Sequence, residues 1–268
     1  MTTETLEIRQ LAHQFAESEL RPHIEKWDRD GALDESVIAK LTELGFFDLA
    51  EFDAPTQIAV LEELAWGEPG VALLVAFNTK PSARLGLILD ERGMYIVPDE
   101  ANLGERINTT GFRTVQLLNA GQTPDARRQT PDALLQIAAI SLGIAQAALD
   151  HTLSYADIRE QFKTKLREFE ATQFKLAEMA TRIHATRALL QHAAANPSDS
   201  HAAMSKLFAS ETAMWVSNQA VQIFGGYGYM RDYPVEKLMR EAKAVEMLEV
   251  PNEILRTQIA QALYDQEG

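Results

Sequence analysis

The sequence contains no cysteine, which excludes disulfides, cysteine-ligated zinc sites, iron–sulfur clusters and thiol nucleophiles. Basic residues are scarce: 25 Lys and Arg stand against 39 Asp and Glu, a formal net charge of −14. That balance argues against nucleic-acid binding, which needs a basic face, and against adsorption on an anionic membrane. No apolar run is expected to span a bilayer, and the first four residues lack the basic start of a signal peptide. We therefore expect a cytoplasmic protein.

Recognisable motifs for metal or nucleophile chemistry are also missing. The six histidines include no pair four residues apart on one helix, so we expect no metal site. The nucleophile elbow G-x-S-x-G and the Walker A loop are both absent. These absences exclude the common hydrolase and nucleotidase motifs.

Most of the chain has the apolar spacing of amphipathic helices. The first predicted helix runs from Glu4 to about Asp28 with a kink near Pro22, and the next is capped by Asp34 and ends at Gly45. Three long helices and two shorter ones follow residue 130, which predicts an antiparallel bundle. The five C-terminal predictions, numbered from the sequence, are about 131–149, 174–196, 198–225, 235–247 and 252–264.

The middle of the chain reads differently. Residues 87–89 and 94–97 predict a hairpin around a Gly-containing turn, and residues 114–118 predict a third strand. Such a segment is too short to be stable by itself and must lean on helices. The fold class predicted from these patterns is mainly α, with an N-terminal helical domain at 1–84, a small β segment at 85–124 and a C-terminal helical bundle at 125–268.

Two features are candidates for chemistry from the residues alone. Gly225 and Gly226 form either a helix C-cap or a bare stretch of backbone that a ligand can approach closely. Glu249 lies between Leu248 and Val250 in a short link between two helices, where apolar neighbours suit a general base. The alternative is an ordinary exposed loop residue, and composition alone favours that alternative.

Several longer motifs together resemble the acyl-CoA dehydrogenase family. The segment from Gln222 to Lys243 resembles its C-terminal signature, and residues 155–162 resemble another family motif. Residues 43–46 and 61–65 are similar to its first helical domain. The resemblance implies an N-terminal helical domain, a central β domain and a C-terminal four-helix bundle. It also implies FAD and the removal of the α and β hydrogens of an acyl thioester.

The resemblance also assigns roles to residues. In many family members a glutamate just before an Asn-Glu-Ile-x-Arg segment is the base, and Glu249 falls at that position. The family's Arg-x-Gln-Phe and Gln-x-x-Gly-Gly elements contact the ADP half of FAD, largely across a subunit interface. Their equivalents here are Arg159, Gln161, Phe162, Gln222, Gly225 and Gly226.

The sequence departs from the family in three places. The central Thr-Glu-Pro-x-x-Gly-Ser-Asp and Trp-Ile-Thr/Ser segments are absent, and residues 85–119 resemble a remnant of that domain. Val250-Pro251 replaces the usual Gly-Thr after the base, and residues 162–165 read Phe-Lys-Thr-Lys where Phe-Gly-x-Pro is usual. Loss of the central segments leaves open whether this chain holds FAD alone, shares it across an interface, or has lost it.

Three functional hypotheses follow. The first is an FAD-dependent dehydrogenase of an acyl-CoA or carrier-protein thioester, with Glu249 as base. The second is a subunit that completes the FAD site of a full-length partner, or that is not catalytic. The third is a flavin-independent enzyme in which Glu249 removes an α proton. The wide apolar stripes and Trp215 predict a homo- or hetero-oligomer.

Overall fold

A long apolar helix forms the centre of the protein. The computed structural model describes residues 2–30, 33–76, 85–90, 93–98, 106–107, 115–118 and 131–265. Helix α6 (Pro131–Ile158) is long and apolar enough to cross a membrane by length and composition, but 78% of its most apolar stretch is buried inside the fold. The expectation that no apolar segment reaches that length missed this helix, whose apolar surface is covered by its neighbours.

The remaining C-terminal helices pack around α6 and confirm the predicted helical bundle. Helix α8 is capped by Ser198, whose side chain accepts a bond from the His201 amide, and it ends at Gly225. Two shorter helices then lie against α8. The bounds are α7 (Glu170–Ala195), α8 (Asp199–Phe224), α9 (Val235–Val245) and α10 (Asn252–Asp265).

The N-terminal helices also follow the prediction, with two differences. The kink expected near Pro22 is a longer irregular stretch, a π turn at Ala16–Leu20 followed by a 3₁₀ turn at Arg21–His23. Asp34 stands at the start of its helix but makes no side-chain cap; its carboxylate instead accepts a 2.6 Å bond from Lys26. The bounds are α1 (Thr3–Phe15), α2 (Ile24–Asp30), α3 (Glu35–Glu43), α4 (Ala54–Gly67) and α5 (Pro69–Ala76).

Four short strands form one sheet between the helical parts. Their order is β2-β1-β4-β3, where β1 pairs with β2 antiparallel and with β4 parallel. The predicted hairpin and third strand are confirmed, while the turn at 91–92 lies outside the described residues. The bounds are β1 (Leu85–Asp90), β2 (Gly93–Pro98), β3 (Arg106–Ile107) and β4 (Val115–Leu118).

A single hydrophobic core joins the N-terminal helices to the C-terminal bundle. Buried side chains from α1 through α5 belong to the same cluster as those from α6 through α10. Helices α4 and α6 pack tightly at Gly143, where a Cβ would lie 2.6 Å from the Ala65 Cβ and overlap the Glu62 carbonyl. Only glycine permits that approach, so the two helical parts are tightly packed together.

Candidate functional site

Glu249 is buried in a short turn between α9 and α10. Glu249 is 9% exposed, and Leu248 and Val250 beside it are almost completely buried. The interpretation of Glu249 as an ordinary exposed loop residue is therefore wrong. The carboxylate belongs to the protein interior, where its surroundings are determined by the fold.

The backbone at Glu249 has an unusual conformation. Its φ is 59°, in the left-handed region, and the amide of Val250 donates a 2.8 Å bond to the carbonyl of Leu248. Together these describe a γ-turn with Glu249 at its centre, a rare and strained form. Positive φ at a residue other than glycine costs about 1–3 kcal/mol, and such strain is found where the surrounding structure over-determines the backbone.

A buried lysine holds this turn in place. Lys206 on α8 is fully buried, and its ammonium donates 2.8 Å bonds to the carbonyls of Glu246 and Val250 and to Oδ1 of Asn252. Sequence reasoning missed this residue, although a signal existed. Lys206 falls in register with the small buried residues Ala202, Ala209 and Ala213, on the face of the helix that packs inward.

The residues assigned to the ADP half of FAD gather at the other end of the bundle. Helix α6 ends beside the 3₁₀ turn Gly225–Tyr229, because Tyr155 stacks on Phe224 with ring centroids 4.0 Å apart. The Arg159 guanidinium lies 5.6 Å from the centre of the Tyr227 ring, a cation–π contact. The fold thus places Arg159 beside the glycine turn, although the two lie more than 60 residues apart in the sequence.

A small hairpin follows Arg159 and was not predicted. Strands β5 (Glu160–Gln161) and β6 (Thr164–Lys165) are joined by Phe162 and Lys163, which have φ values of 51° and 67°. Two-residue hairpin turns with positive φ at both positions favour Asn-Gly, so Phe-Lys gives no sequence signal for this turn. The ring of Phe162 is 92% exposed at the tip.

The glycine turn presents open backbone to solvent. Gly225 has φ 61° and ψ −132°, a conformation closed to other residues. A Cβ built on Gly225 or on Gly226 meets nothing within 4 Å, whereas one on Gly228 would lie 2.5 Å from the Val221 carbonyl. Gly228 is therefore needed for packing, while the space in front of Gly225 and Gly226 is free to receive another molecule. Gln222 is exposed one turn earlier.

The two groups of residues lie far apart along one helix. Helix α8 carries Lys206, which holds the Glu249 turn, and Phe224, which begins the glycine turn. At a rise of ~1.5 Å per residue, these two positions are separated by about 27 Å. The structure therefore brings together Arg159 and the glycine turn but does not bring Glu249 to them.

A buried ion cluster, which we call the α9 triad, anchors the helix that leads into the Glu249 turn. Lys237 contacts Glu68 at 2.9 Å and Glu241 at 2.5 Å, and all three side chains are at most 3% exposed. Burial alone lowers the pKa of Lys237, but the carboxylates of Glu241 and Glu68 raise it above its usual range. Burial raises the pKa of Glu241 despite the opposing effect of Lys237. The triad joins α9 to the start of α5.

Two cavities lie away from the predicted site residues. One of about 150 Å³ is lined by Arg9, Glu62 and Arg187 among others, and one of about 280 Å³ by residues of α6, α8 and α10. Arg187 donates a 2.6 Å bond to Glu62 within the first. Within the described residues, no group of three or more His, Asp or Glu side chains is placed to hold a metal ion.

Comparisons with known proteins give a consistent relationship. The family profile "Acyl-CoA dehydrogenase, C-terminal domain" matches residues 132–264, and "Acyl-CoA dehydrogenase, N-terminal domain" matches residues 2–87. The chain is 32% identical over 206 residues to a 3-(aryl)acrylate reductase of Clostridium sporogenes, covering 75% of this chain and 54% of that protein. It is 48% identical over 136 residues to an acyl-CoA dehydrogenase of Bacillus subtilis, covering 47% of this chain and 35% of that one.

A solved structure resembles this chain over nearly its whole length. Butyryl-CoA dehydrogenase from Megasphaera elsdenii superposes with a TM-score of 0.82 at 25% identity, covering 98% of this chain and 99% of that chain. By sequence, the chain spans 54% of the C. sporogenes protein and 35% of the B. subtilis protein, about half or less of these curated relatives. The two family profiles together match residues 2–87 and 132–264.

Proposed function

The chain belongs to the acyl-CoA dehydrogenase family, and on that premise we propose that it acts on an acyl thioester with Glu249 as the base for the α proton. The observation that carries the proposal is the burial of Glu249 in a turn whose backbone is held at positive φ. The sequence resemblance supports it too, because Glu249 falls where the family's base is expected, just before the segment that begins at Asn252.

A base of this kind takes the α proton while the thioester carbonyl is polarised by hydrogen bonds. Burial excludes water from the Glu249 carboxylate, and the fixed turn reduces the number of orientations it can adopt. The α C–H bond breaks, its proton passes to a Glu249 oxygen, and the electron pair remains on the substrate. In the dehydrogenation, bound FAD supplies the acceptor for the β hydride.

We propose that Arg159, Gln161, Phe162, Gln222, Gly225 and Gly226 bind the ADP half of FAD. Three observations support this: the open backbone at Gly225 and Gly226, the guanidinium next to it, and the exposed aromatic ring of Phe162. An arginine and bare backbone suit a pyrophosphate, and an exposed ring suits a flat base. The described residues thus fit that half of the cofactor.

A second candidate function is favoured by the separation along α8. Because Lys206, which holds the Glu249 turn, and Phe224, which begins the glycine turn, are about 27 Å apart along α8, the glycine turn is suited to the FAD of a neighbouring subunit. That subunit is either a second copy of this chain or a full-length family member. The chain would then complete an FAD site in an oligomer, whether or not its own Glu249 turns over substrate. We also propose that the domains of the chain divide at residues 84–85 and 124–125, as the sequence predicts.

The test of the base uses α-proton exchange, which needs no flavin. Butanoyl-CoA in D₂O is followed by proton NMR with the wild-type protein, with Glu249→Gln, and with Glu178→Gln as matched control. Glu178 lies on α7, and its exposed side chain pairs with Arg182 on the same helix. We expect Glu249→Gln to slow exchange by about 10²- to 10⁴-fold and Glu178→Gln to leave it nearly unchanged. Equal rates for all three proteins would refute the role of Glu249.

The test of the cofactor is an absorption titration with FAD, on the chain alone and with added acyl-CoA. A bound flavin spectrum with bleaching by butanoyl-CoA supports the self-sufficient dehydrogenase. Proton exchange without flavin binding supports redox-neutral chemistry at Glu249. Flavin binding only after addition of a full-length family member supports the subunit function. Because one relative is named as a 3-(aryl)acrylate reductase, aryl substrates belong in the same assay, in both directions.

A further inference from the structure

Lys206 is a buried cation whose bonds all go to the turn that carries Glu249. It is fully buried, and its three acceptors are neutral oxygens at 2.8 Å: the carbonyls of Glu246 and Val250 and Oδ1 of Asn252. An ammonium has three protons, and each of them is used here. Burying a charge is unfavourable unless hydrogen bonds satisfy it, so the site is built around this lysine.

The three acceptors stand on both sides of Glu249. Glu246 precedes it by three residues, Val250 follows it directly, and Asn252 begins α10. One ammonium therefore ties the end of α9, the turn itself and the start of α10 to a single point on α8. This is the restraint that a strained backbone at Glu249 requires, because without it the residue is free to relax to negative φ.

A second contact makes the restraint rigid. Ser210, one turn along α8 from Lys206, donates a 2.9 Å bond to the Lys206 carbonyl and accepts a 3.0 Å bond from Nδ2 of Asn252. The amide of Asn252 is thus fixed at both ends, its oxygen by the lysine and its nitrogen by the serine. We call Lys206, Ser210 and Asn252 the α8 clamp.

Burial and the surrounding carboxylates act on the charge of Lys206 in opposite directions. Burial lowers the pKa of Lys206 to about 7, while the carboxylates of Glu246, Glu253, Glu249 and Glu211 act to raise it. Glu249 is therefore within electrostatic reach of the lysine. A well-packed apolar side chain in such a site is often no less stable than a charged one, so stability alone does not account for a lysine here.

We propose that Lys206 is a positioning residue for Glu249, which fixes the strained turn so that the carboxylate faces the α carbon of the substrate. This inference rests on the proposed function, in which Glu249 is the base, and extends it to a residue that does not touch the substrate. It also assigns Asn252 a role, as the link between the lysine and α10.

The experiment compares Lys206→Met with Asn252→Ala and with Thr212→Val as matched control. Thr212 lies on the same helix and is equally buried, but its hydroxyl bonds to Thr186 on α7, away from the turn. Amide hydrogen exchange by mass spectrometry follows residues 246–252 in each protein. Exchange of the α proton of butanoyl-CoA is measured as kcat and KM.

We expect Lys206→Met to speed amide exchange in residues 246–252 by about tenfold or more, with α6 and α7 unchanged. Since displacement of about 1 Å can cost ~10²-fold, kcat should fall by about that factor with KM within roughly twofold. Adding Lys206→Met to Glu249→Gln should cause no further loss. Asn252→Ala should change the same quantities less and covers the case in which Lys206→Met does not fold.

Two results overturn the inference. One is a uniform rise in amide exchange with equal losses of kcat in Lys206→Met and Thr212→Val, which makes the lysine a general stabilising residue. The other is an unchanged turn in Lys206→Met. A wild-type chain without turnover instead refutes the proposed function and the catalytic part of this inference, and amide exchange then decides by itself whether Lys206 holds the turn.

Discussion

Replacing Lys237 by methionine tests the energetics of the α9 triad. The ammonium contacts both Glu68 oxygens, at 3.0 and 2.9 Å, and Glu241 at 2.5 Å. The variant Lys237→Met removes the ammonium and leaves the carboxyl groups of Glu68 and Glu241 together in a nearly fully buried site. Removing one partner from a buried ion pair typically costs 3–5 kcal/mol, because the remaining charge stays buried without compensation. We expect a loss of about 3–5 kcal/mol in the free energy of unfolding near pH 8.

The same variant should recover stability in acid. Burial raises the pKa of Glu241 in the folded state, and removal of Lys237 takes away the group that opposes this. A carboxyl group with a raised folded pKa binds a proton more tightly in the folded protein. Its stabilising contribution is present below its unfolded pKa of about 4.3 and is lost as pH rises through the folded value. The deficit of Lys237→Met should therefore be smaller at pH 5 than at pH 8.

The assay is urea unfolding followed by circular dichroism at both pH values, with Lys40→Met as control. Lys40 pairs with Glu19 at 2.6 Å, but those side chains are 46% and 33% exposed. Exposed pairs contribute at most about 1 kcal/mol, so Lys40→Met should lose little and show no difference between the two pH values. The reasoning is refuted if Lys237→Met loses no more than Lys40→Met, or if its deficit is the same at pH 5 and pH 8.

Two further predictions concern a histidine and the glycine turn. His151 lies 3.2 Å from the Arg21 guanidinium, and burial with that neighbouring charge lowers its pKa to about 4. Since the unfolded state binds the proton near pH 6.5, acidification from pH 6.5 to 4 should remove up to about 3 kcal/mol of stability. Urea unfolding of His151→Gln should lack this part of the pH dependence; an unchanged dependence would contradict the assignment. At the glycine turn, Gly225→Ala should lower stability by about 1–3 kcal/mol because its φ is 61°. Gly226→Ala should unfold like the wild type yet bind FAD about tenfold or more weakly, and unaltered FAD binding would argue against a cofactor at this backbone.

Local signals made the helix ends predictable. Ser198 and Gly225 lie at the two ends of α8, as expected, and Gly45 lies just after the end of α3. These positions are predictable because helix caps depend on residues within one turn. Asp34 shows the limit of such signals. Its carboxylate accepts a hydrogen bond from the Lys26 ammonium, eight residues earlier, instead of capping the helix.

Burial of charge was not predictable in the same way. Lys237 and Glu241 are four residues apart on α9, a spacing typical of exposed ion pairs, yet both are buried. What buries them includes Glu68, which lies 169 residues away in the sequence. Lys206 had a visible signal, its place on the inward face of α8, but its partners lie 40 to 46 residues further along the chain. The spacing of apolar residues indicates which face of a helix packs inward, but it does not indicate which residues that face contacts.

The candidate site was partly predictable for the same reason. The link between two helices that carries Glu249 follows from the positions of those helices, and the motif resemblance singled out the residue. Its positive φ could not be read from Leu-Glu-Val-Pro, since glycine is the usual indicator. The exposed turn at Phe162 and Lys163 was missed on the same grounds.

The shared core has a consequence for how the length of this protein can change. Helices α5 and α6 are fixed by packing against α4, at Gly143 above all, so the chain between Ala76 and Pro131 connects two points whose positions are already set. The contacts between α4 and α6 are made by the helices themselves, so a longer or shorter segment between Ala76 and Pro131 leaves these contacts in place. Evolution can therefore change the central segment while the contacts that hold Glu249 and the glycine turn remain the same.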